Sequence, residues 1–142
     1  DRGRRLHLFT THLQSATVPY ESPLNQECEK IRDQQCTEVK HHIDINVGTD
    51  RWVVAGDFNI DASSNEYARL VAAWGVPSLL QAGGSPPTYN DHSFLAPPGW
   101  RRVGYAGCID HVFTNAPGAR LRRVHTHPDI SDHYGVEFSA AS

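Results

Sequence analysis

The segment that most constrains the fold is the short apolar run RWVVA, from Arg51 to Ala55. A short run of this kind, closed by Gly56, predicts a strand that is buried on both faces, and such strands lie in sheets covered by helices. The preceding residues, from Gln26 to about Ile45, predict a rough amphipathic helix that ends before Gly48. This helix-to-strand order predicts an α/β layered fold.

Other elements follow from local patterns. The apolar side of the predicted helix is expected to carry Cys28, Ile31, Cys36, Val39 and Ile43. Residues 6–11 alternate as in a strand, and residues 66–74 predict a second helix, capped by Ser64 or Asn65 and stopped at Gly75. Residues 17–25 and 82–107 are rich in loop formers. The last third holds three strand-like segments, of which two or three are expected to be antiparallel neighbours: CIDHVFTN, ARLRRVHTH and YGVEFSA.

The length of 142 residues predicts a single domain spanning 1–142. The sequence lacks methionine and opens on a strand-like segment, so we expect a processed or excised piece of a longer protein. No apolar run approaches the roughly 20 residues that span a bilayer, and no signal peptide is visible.

The charge balance does not select a partner, because a net charge of -3 and a pI of about 6.3 give no basic domain. Local arginine clusters could meet phosphates, although a solvated surface is the favoured interpretation. The clusters are Arg2, Arg4 and Arg5; Arg101 and Arg102; and Arg120, Arg122 and Arg123. The three cysteines have no C-x-x-C spacing, which argues against a zinc site. Cys28 and Cys36 would lie roughly 12 Å apart on one helix, too far for a mutual disulfide.

Four polar motifs lie at the ends of predicted strands. In GDFN, the Asp57 carboxylate could orient a nucleophilic water and the Asn59 amide could stabilise phosphoryl charge, although a plain turn with Asx hydrogen bonds would use the same residues. In IDHV, Asp110 lies between apolar residues and needs a partner if it is buried. SDHY offers Asp132 and His133 for base or metal chemistry, and THLQ offers His12, whose alternative is a structural histidine.

In this order and spacing, THLQ, GDFN, IDHV and SDHYGV resemble the C-terminal half of the endonuclease/exonuclease/phosphatase family, which includes DNase I-like nucleases. The resemblance runs from about Leu6 to Phe138. It implies the C-terminal half of a DNase I-like four-layer α/β sandwich, with the N-terminal half of the fold absent from this chain. It also implies a hydrolase that attacks phosphodiesters with Mg²⁺ as a Lewis acid.

The resemblance further implies a role for each motif residue. His12 would contact the scissile phosphate and protonate the leaving group, Asp57 would orient or activate the water, and Asn59 would stabilise the transition state. Asp110 would orient His133, the catalytic histidine, while Asp132 would be the metal-linked acid. The family's main metal-binding glutamate precedes the THLQ strand and has no counterpart here, so a second chain or an N-terminal half is expected to complete the fold.

Within the family, several details are more similar to secreted bacterial-type neutral sphingomyelinase C than to nucleases. They include FTTHLQS, SSNEYARL, the pair Thr88-Tyr89 and the ending SDHYGVEFS. These imply a phospholipid or other phosphodiester substrate and a secreted or extracytoplasmic location. One departure is that no aromatic residue occurs in 114–130, where the bacterial enzymes carry an aromatic membrane-docking hairpin. A nuclease acting on nucleic acid with the same site, and a non-catalytic interaction domain that keeps the fold, are the alternatives.

Overall fold

The computed structural model describes residues 5–15, 24–90, 106–126 and 131–140. Within these ranges the elements alternate between strands and helices, as the sequence predicts for an α/β fold. In chain order they are β1 (Leu6–His12), α1 (Leu24–Val47), β2 (Arg51–Asp57), α2 (Asn65–Trp74), α3 (Leu79–Ala82), β3 (Tyr89–Asn90), β4 (Ala106–Gly107), β5 (Asp110–Thr114), β6 (Arg120–His125) and β7 (Gly135–Ser139).

The main sheet has the strand order β1-β2-β5. Strand β1 runs parallel to β2, with His12 opposite Asp57, and β5 runs antiparallel to β2, with Asp110 also opposite Asp57. The ends of β1 and β2 and the start of β5 therefore meet at one edge of the sheet. Two smaller sheets pair β3 with β4 and β6 with β7.

Gly56 explains how β1 and β2 can pair so closely at that edge. Its φ is +153°, and a Cβ at this position would lie 1.9 Å from the carbonyl oxygen of Thr11. No side chain fits at such a distance, so glycine is required where the two strands bring His12 beside Asp57.

Both faces of the sheet are covered at β2. Helices α1 and α2 pack on one face around a core that includes Trp52, Val54, Phe58, Trp74 and Phe113. On the other face, Val53 and Val112 pack with Leu80 and Cys108, and partly buried residues of β6 and β7 lie against them. Strand β2 is thus buried on both faces, as the sequence predicted.

The buried face of α1 differs from the prediction at one position. Ile31, predicted to face the core, is 38% exposed, whereas Arg32 is only 6% exposed. The residues of α1 that are buried lie at spacings of four and seven, which align Arg32 with Cys28, Cys36, Ile43 and Val47. Helix α1 also extends two residues beyond the predicted range at each end.

Most other predicted elements are confirmed. Ser64 caps α2 by accepting a hydrogen bond from the Tyr67 N–H, and Gly75 ends the helix with a φ of 71°. Residues 82–107 prove less irregular than predicted, since they contain β3 and β4. In the last third, β6 and β7 are antiparallel neighbours, whereas β5 pairs with β2 instead of its sequence neighbours. The loop predicted at 17–25 and the centre of 82–107 lie largely outside the described residues.

All three cysteines are buried and free, and burial raises the pKa of the Cys36 and Cys108 thiols to about 12. None of the helices in the described ranges is long and apolar enough to cross a membrane.

Candidate active site

Three of the predicted site residues, His12, Asp110 and His133, lie around Asp57. The ring nitrogen His12 Nε2 lies 3.4 Å from Asp57 Oδ2, and His133 Nε2 lies 3.7 Å from the same oxygen. On the far side of the imidazole, His133 Nδ1 lies 3.0 Å from Asp110 Oδ2. Two carboxylates and two histidines thus occupy one edge of the sheet.

His133 and Asp110 form a hydrogen-bonded pair. A carboxylate can only accept, so His133 carries its proton on Nδ1 and directs Nε2 towards Asp57. The hydrogen bond that His133 donates to Asp110 is the largest cause that raises the pKa of the His133 ring. Burial lowers that pKa, and the charges of Asp110, Asp57 and Asp132 raise it further. The ring is therefore held in one orientation and made more basic.

Asp57 is a carboxylate with little contact to solvent, since its side chain is 15% exposed. Burial raises its pKa, and the neighbouring charge of Asp110 adds to that effect. The N–H of Asn59, which donates to Asp57 Oδ1 at 2.8 Å, and the two histidines act in the opposite direction. A group with a shifted pKa at the edge of a sheet is characteristic of a functional site, although structural pairs also produce such shifts.

Asn59 adopts a left-handed backbone conformation with a φ of 53°. Its backbone N–H closes the Asx turn on Asp57, while its side-chain Nδ2 donates to the Leu13 carbonyl at 2.9 Å. GDFN therefore forms the Asx turn of the structural interpretation. It also places Asp57 beside His12 and His133, as the functional interpretation requires. The side-chain amide joins the loop after β2 to the loop after β1.

Asp132, predicted as the metal-linked acid, lies beside His133 and contributes to the negative field around that ring. Its carbonyl accepts a hydrogen bond from the Asn90 N–H at 2.9 Å. Among the residues that the structure describes, no group of three or more histidine, cysteine or acidic side chains is placed to hold a metal ion. The metal role of Asp132 stays a prediction.

Thr88 is a site residue whose contacts were not foreseen. It is fully buried, and its Oγ1 accepts hydrogen bonds from the N–H groups of Ile109, at 3.1 Å, and Asp110, at 2.9 Å. Its carbonyl accepts the N–H of Tyr134 at 2.7 Å. Thr88 thus connects the strand that carries Asp110 to the loop that carries His133. The sequence marked the Thr88-Tyr89 pair only as a family detail.

His111 supports the same site from the opposite face of β5. It is 1% exposed, lies 4.9 Å from the Tyr67 ring between centroids, and has Nε2 2.8 Å from the Ile60 carbonyl. Burial lowers the pKa of His111, so the neutral ring donates through Nε2 to that carbonyl. The donation anchors the loop that follows Asp57. Nothing in IDHV separates this histidine from a catalytic one by sequence alone.

The arginine clusters match the favoured surface interpretation where they are described. Arg5, Arg120, Arg122 and Arg123 are exposed. Arg122 donates from Nε to the Ser139 hydroxyl at 2.9 Å. The remaining cluster residues, Arg2, Arg4, Arg101 and Arg102, lie outside the described residues.

The sequence model of the endonuclease/exonuclease/phosphatase family matches residues 32–133 of this chain. No curated protein sequence gives a significant match. Among solved structures, beta toxin from Staphylococcus aureus has 19% identity and a TM-score of 0.75, covering 99% of this chain and 54% of the toxin. Sphingomyelinase C from Streptomyces griseocarneus has 19% identity and a TM-score of 0.65, with coverages of 98% and 54%.

A mannosyl-6-phosphatase from Bacteroides thetaiotaomicron is also similar, with 16% identity, a TM-score of 0.61 and coverages of 95% and 51%. These proteins bear the names of different activities and share one architecture, so the likeness identifies the fold, which is the DNase I-like α/β fold, and leaves the substrate open. The chain spans about half the length of each of them.

Proposed function

Because the chain belongs to the endonuclease/exonuclease/phosphatase family, we propose that it carries the catalytic half of a Mg²⁺-dependent phosphodiesterase that cleaves a phospholipid head group, as sphingomyelinase C does. The observation that carries this proposal is the array Asp110–His133–Asp57, in which one histidine bridges two carboxylates at distances of 3.0 and 3.7 Å. That array suits proton transfer from a water held at the edge of the sheet.

The proposed reaction uses each side chain where it lies. Asp57 orients the attacking water, and the neutral Nε2 of His133 takes its proton while Asp110 stabilises the imidazolium that forms. His12, which is exposed on the other side of Asp57, contacts the phosphate and gives a proton to the leaving oxygen. Asn59 has a second Nδ2 hydrogen for the developing phosphoryl charge, since one is engaged by Leu13.

The described residues supply only part of a Mg²⁺ ligand set. Mg²⁺ is usually held in proteins by one or two carboxylates together with waters and substrate oxygens. Among the described residues we assign Asp132 to the ion, and we propose that the main glutamate ligand comes from the other half of the fold. When bound, the ion would supply Lewis-acid polarisation of a phosphate oxygen. A variant of the Staphylococcus aureus beta toxin with a similar fold was solved with bound magnesium ions, which supports the choice of cation.

The other half of the fold is also a proposal. Strand β1 lies at the edge of the main sheet, and Leu6 and Leu8 on it are 58% and 66% exposed. An apolar edge strand of this kind needs a covering partner to avoid aggregation. We propose that the partner is the half of the DNase I-like fold that this chain does not contain, supplied by a longer version of the chain or by a second chain.

We also propose that the protein is secreted, and cell fractionation would test this location.

A nuclease with the same site is the main rival, and a non-catalytic interaction domain is the other. Parallel assays of the complete protein on sphingomyelin, duplex DNA and single-stranded DNA decide between them, each with Mg²⁺ and with chelator. Release of a phosphorylated head group that needs Mg²⁺ supports the proposal. DNA cleavage without lipid turnover assigns the site to a nuclease, and no turnover of any substrate favours the interaction domain.

A further inference from the structure

The residues that follow His12 are tied to the loop that follows β2. The N–H of Leu13 donates to the Asp57 carbonyl at 2.9 Å, and the Leu13 carbonyl accepts from Asn59 Nδ2 at 2.9 Å. Leu13 itself is 4% exposed and belongs to the helix-side core. The position of His12 is therefore coupled directly to the two residues of GDFN that we assign to catalysis.

The next residue is held from the other side, by helix α1. The N–H of Gln14 donates to Gln35 Oε1 at 2.9 Å, and the Gln14 carbonyl accepts from Arg32 Nη1 at 3.0 Å. Gln35 and Arg32 lie three residues apart on one face of the helix. Four successive backbone polar groups after His12 are thus all hydrogen-bonded, two towards β2 and two towards α1.

Arg32 is itself locked by Glu66 on helix α2. Arg32 and Glu66 are 6% and 8% exposed. They form a bidentate ion pair, with Arg32 Nε 2.7 Å from Glu66 Oε1 and Arg32 Nη2 2.8 Å from Glu66 Oε2. A buried ion pair contributes little net stability compared with apolar residues of similar volume. What the pair does provide is a fixed orientation of the planar guanidinium, whose third nitrogen is left to bind the Gln14 carbonyl.

We propose that Arg32 and Gln35 are positioning residues for the reaction, because they hold the segment after His12 and so keep its imidazole in register with Asp57. The inference rests on the proposed function for its catalytic consequence. Its physical content, that α1 fixes the backbone of Gln14, is independent of any substrate. Glu66 is a positioning residue too, since it fixes the guanidinium of Arg32 that binds the Gln14 carbonyl.

The first test replaces Gln35 with methionine in the complete protein and compares it with Gln34→Met. Gln34 is the neighbouring residue, is exposed, and donates its side-chain amide to Glu38 on the helix surface. For Gln35→Met we expect amide exchange at Gln14 to accelerate at least about fivefold, because its N–H loses its acceptor. We also expect kcat to fall roughly 10- to 100-fold with KM within about twofold. Equal exchange and equal turnover in the two variants would overturn the proposal.

The second test is the double variant Arg32→Met/Glu66→Leu, which replaces the ion pair with apolar side chains and is expected to stay folded. Positioning predicts a kcat loss of roughly tenfold or more at unchanged melting temperature. A purely structural pair predicts full activity in the folded variant, and that result would refute the role of Arg32. If the unmodified protein hydrolyses no phosphodiester, the proposed function fails, whereas the exchange rates still decide whether α1 holds Gln14.

Discussion

At the scale of single residues, the site places two carboxylates, Asp57 and Asp110, close together where their side chains are only 15% and 17% exposed. Asp57 lies opposite Asp110 in the strand register, and burial is the largest cause that raises the pKa of Asp57. A carboxyl whose pKa is higher in the folded than in the unfolded protein destabilises the fold once it ionises. The site thus holds a charge that folding disfavours, as expected where chemistry and not stability selects the residue.

Replacing Asp57 with asparagine is therefore expected to keep or raise stability while abolishing turnover. The amide oxygen still accepts the Asn59 N–H, and the buried charge is gone. Folding favours the protonated carboxyl, so the native protein loses stability as pH rises through the raised pKa of Asp57. Thermal melts should show the advantage of Asp57→Asn at pH 7 and a smaller one below about pH 4, the ordinary range of the group. A clear fall in melting temperature at pH 7 would contradict this interpretation.

Asp110→Asn is expected to move the pH dependence of turnover. His133 must be neutral to act as a base, so activity rises with pH through the pKa of His133, which Asp110 raises above the usual value of about 6.5. Without the Asp110 charge that pKa falls, and the acid limb of the kcat profile should shift to lower pH while the maximum decreases. An unchanged acid limb would place the base on another residue.

At the scale of elements, sequence patterns predicted what is local and missed what depends on distant partners. The strands at 6–11 and 51–55 and the helix at 66–74 were predictable because their periodicity and caps are encoded in neighbouring residues. The pairing of β5 with β2 was not, since it joins segments more than 50 residues apart. Arg32 was missed as a buried residue because a charge on a helix is normally solvated, and only Glu66 on another helix makes its burial acceptable.

The candidate site follows the same division. The sequence marked its proposed members because each lies at or beside a strand end, and the register places His12 and Asp110 opposite Asp57. The residues that support the site were not found, because Thr88 and His111 act through hydrogen bonds to backbone groups that no sequence motif records.

The short strand β3 supplies a prediction at this scale, through Thr88 just before it. Valine has nearly the same shape as threonine but offers no acceptor, so Thr88→Val should remove this acceptor from the buried N–H of Ile109 and the partly buried N–H of Asp110. Each such group costs about 1 to 3 kcal/mol, so the unfolding free energy should fall by about 2 kcal/mol or more. Thr88→Ser, which keeps the hydroxyl, should lose less in denaturant unfolding. A serine variant less stable than the valine variant would show that packing, not hydrogen bonding, dominates at this position.

At the scale of the whole molecule, the chain presents a well-packed helical side and an exposed edge strand. The core on the helix side includes Trp52, Phe58, Trp74 and Phe113, whereas Leu6 and Leu8 on β1 stay largely exposed. The solved structures of similar fold are about twice as long as this chain. Strand β1 ends at His12 in the candidate site, so the partner that we propose to cover β1 would also border that site.

Proton transfer by His133, oriented by Asp110, is the step on which the proposed phosphodiester hydrolysis depends. It is tested by comparing sphingomyelin turnover by the complete protein and by its His133→Ala variant, with Mg²⁺ present. The ring is partly exposed, at 33% of its side chain, but its loss leaves the Asp110 carboxylate, which is 17% exposed, without this partner, so the melting temperature should fall while the variant stays folded. We expect kcat to fall roughly 10²- to 10⁴-fold in the folded variant. A His133→Ala protein that turns over sphingomyelin at the unmodified rate would rule out His133 as the proton-transfer group.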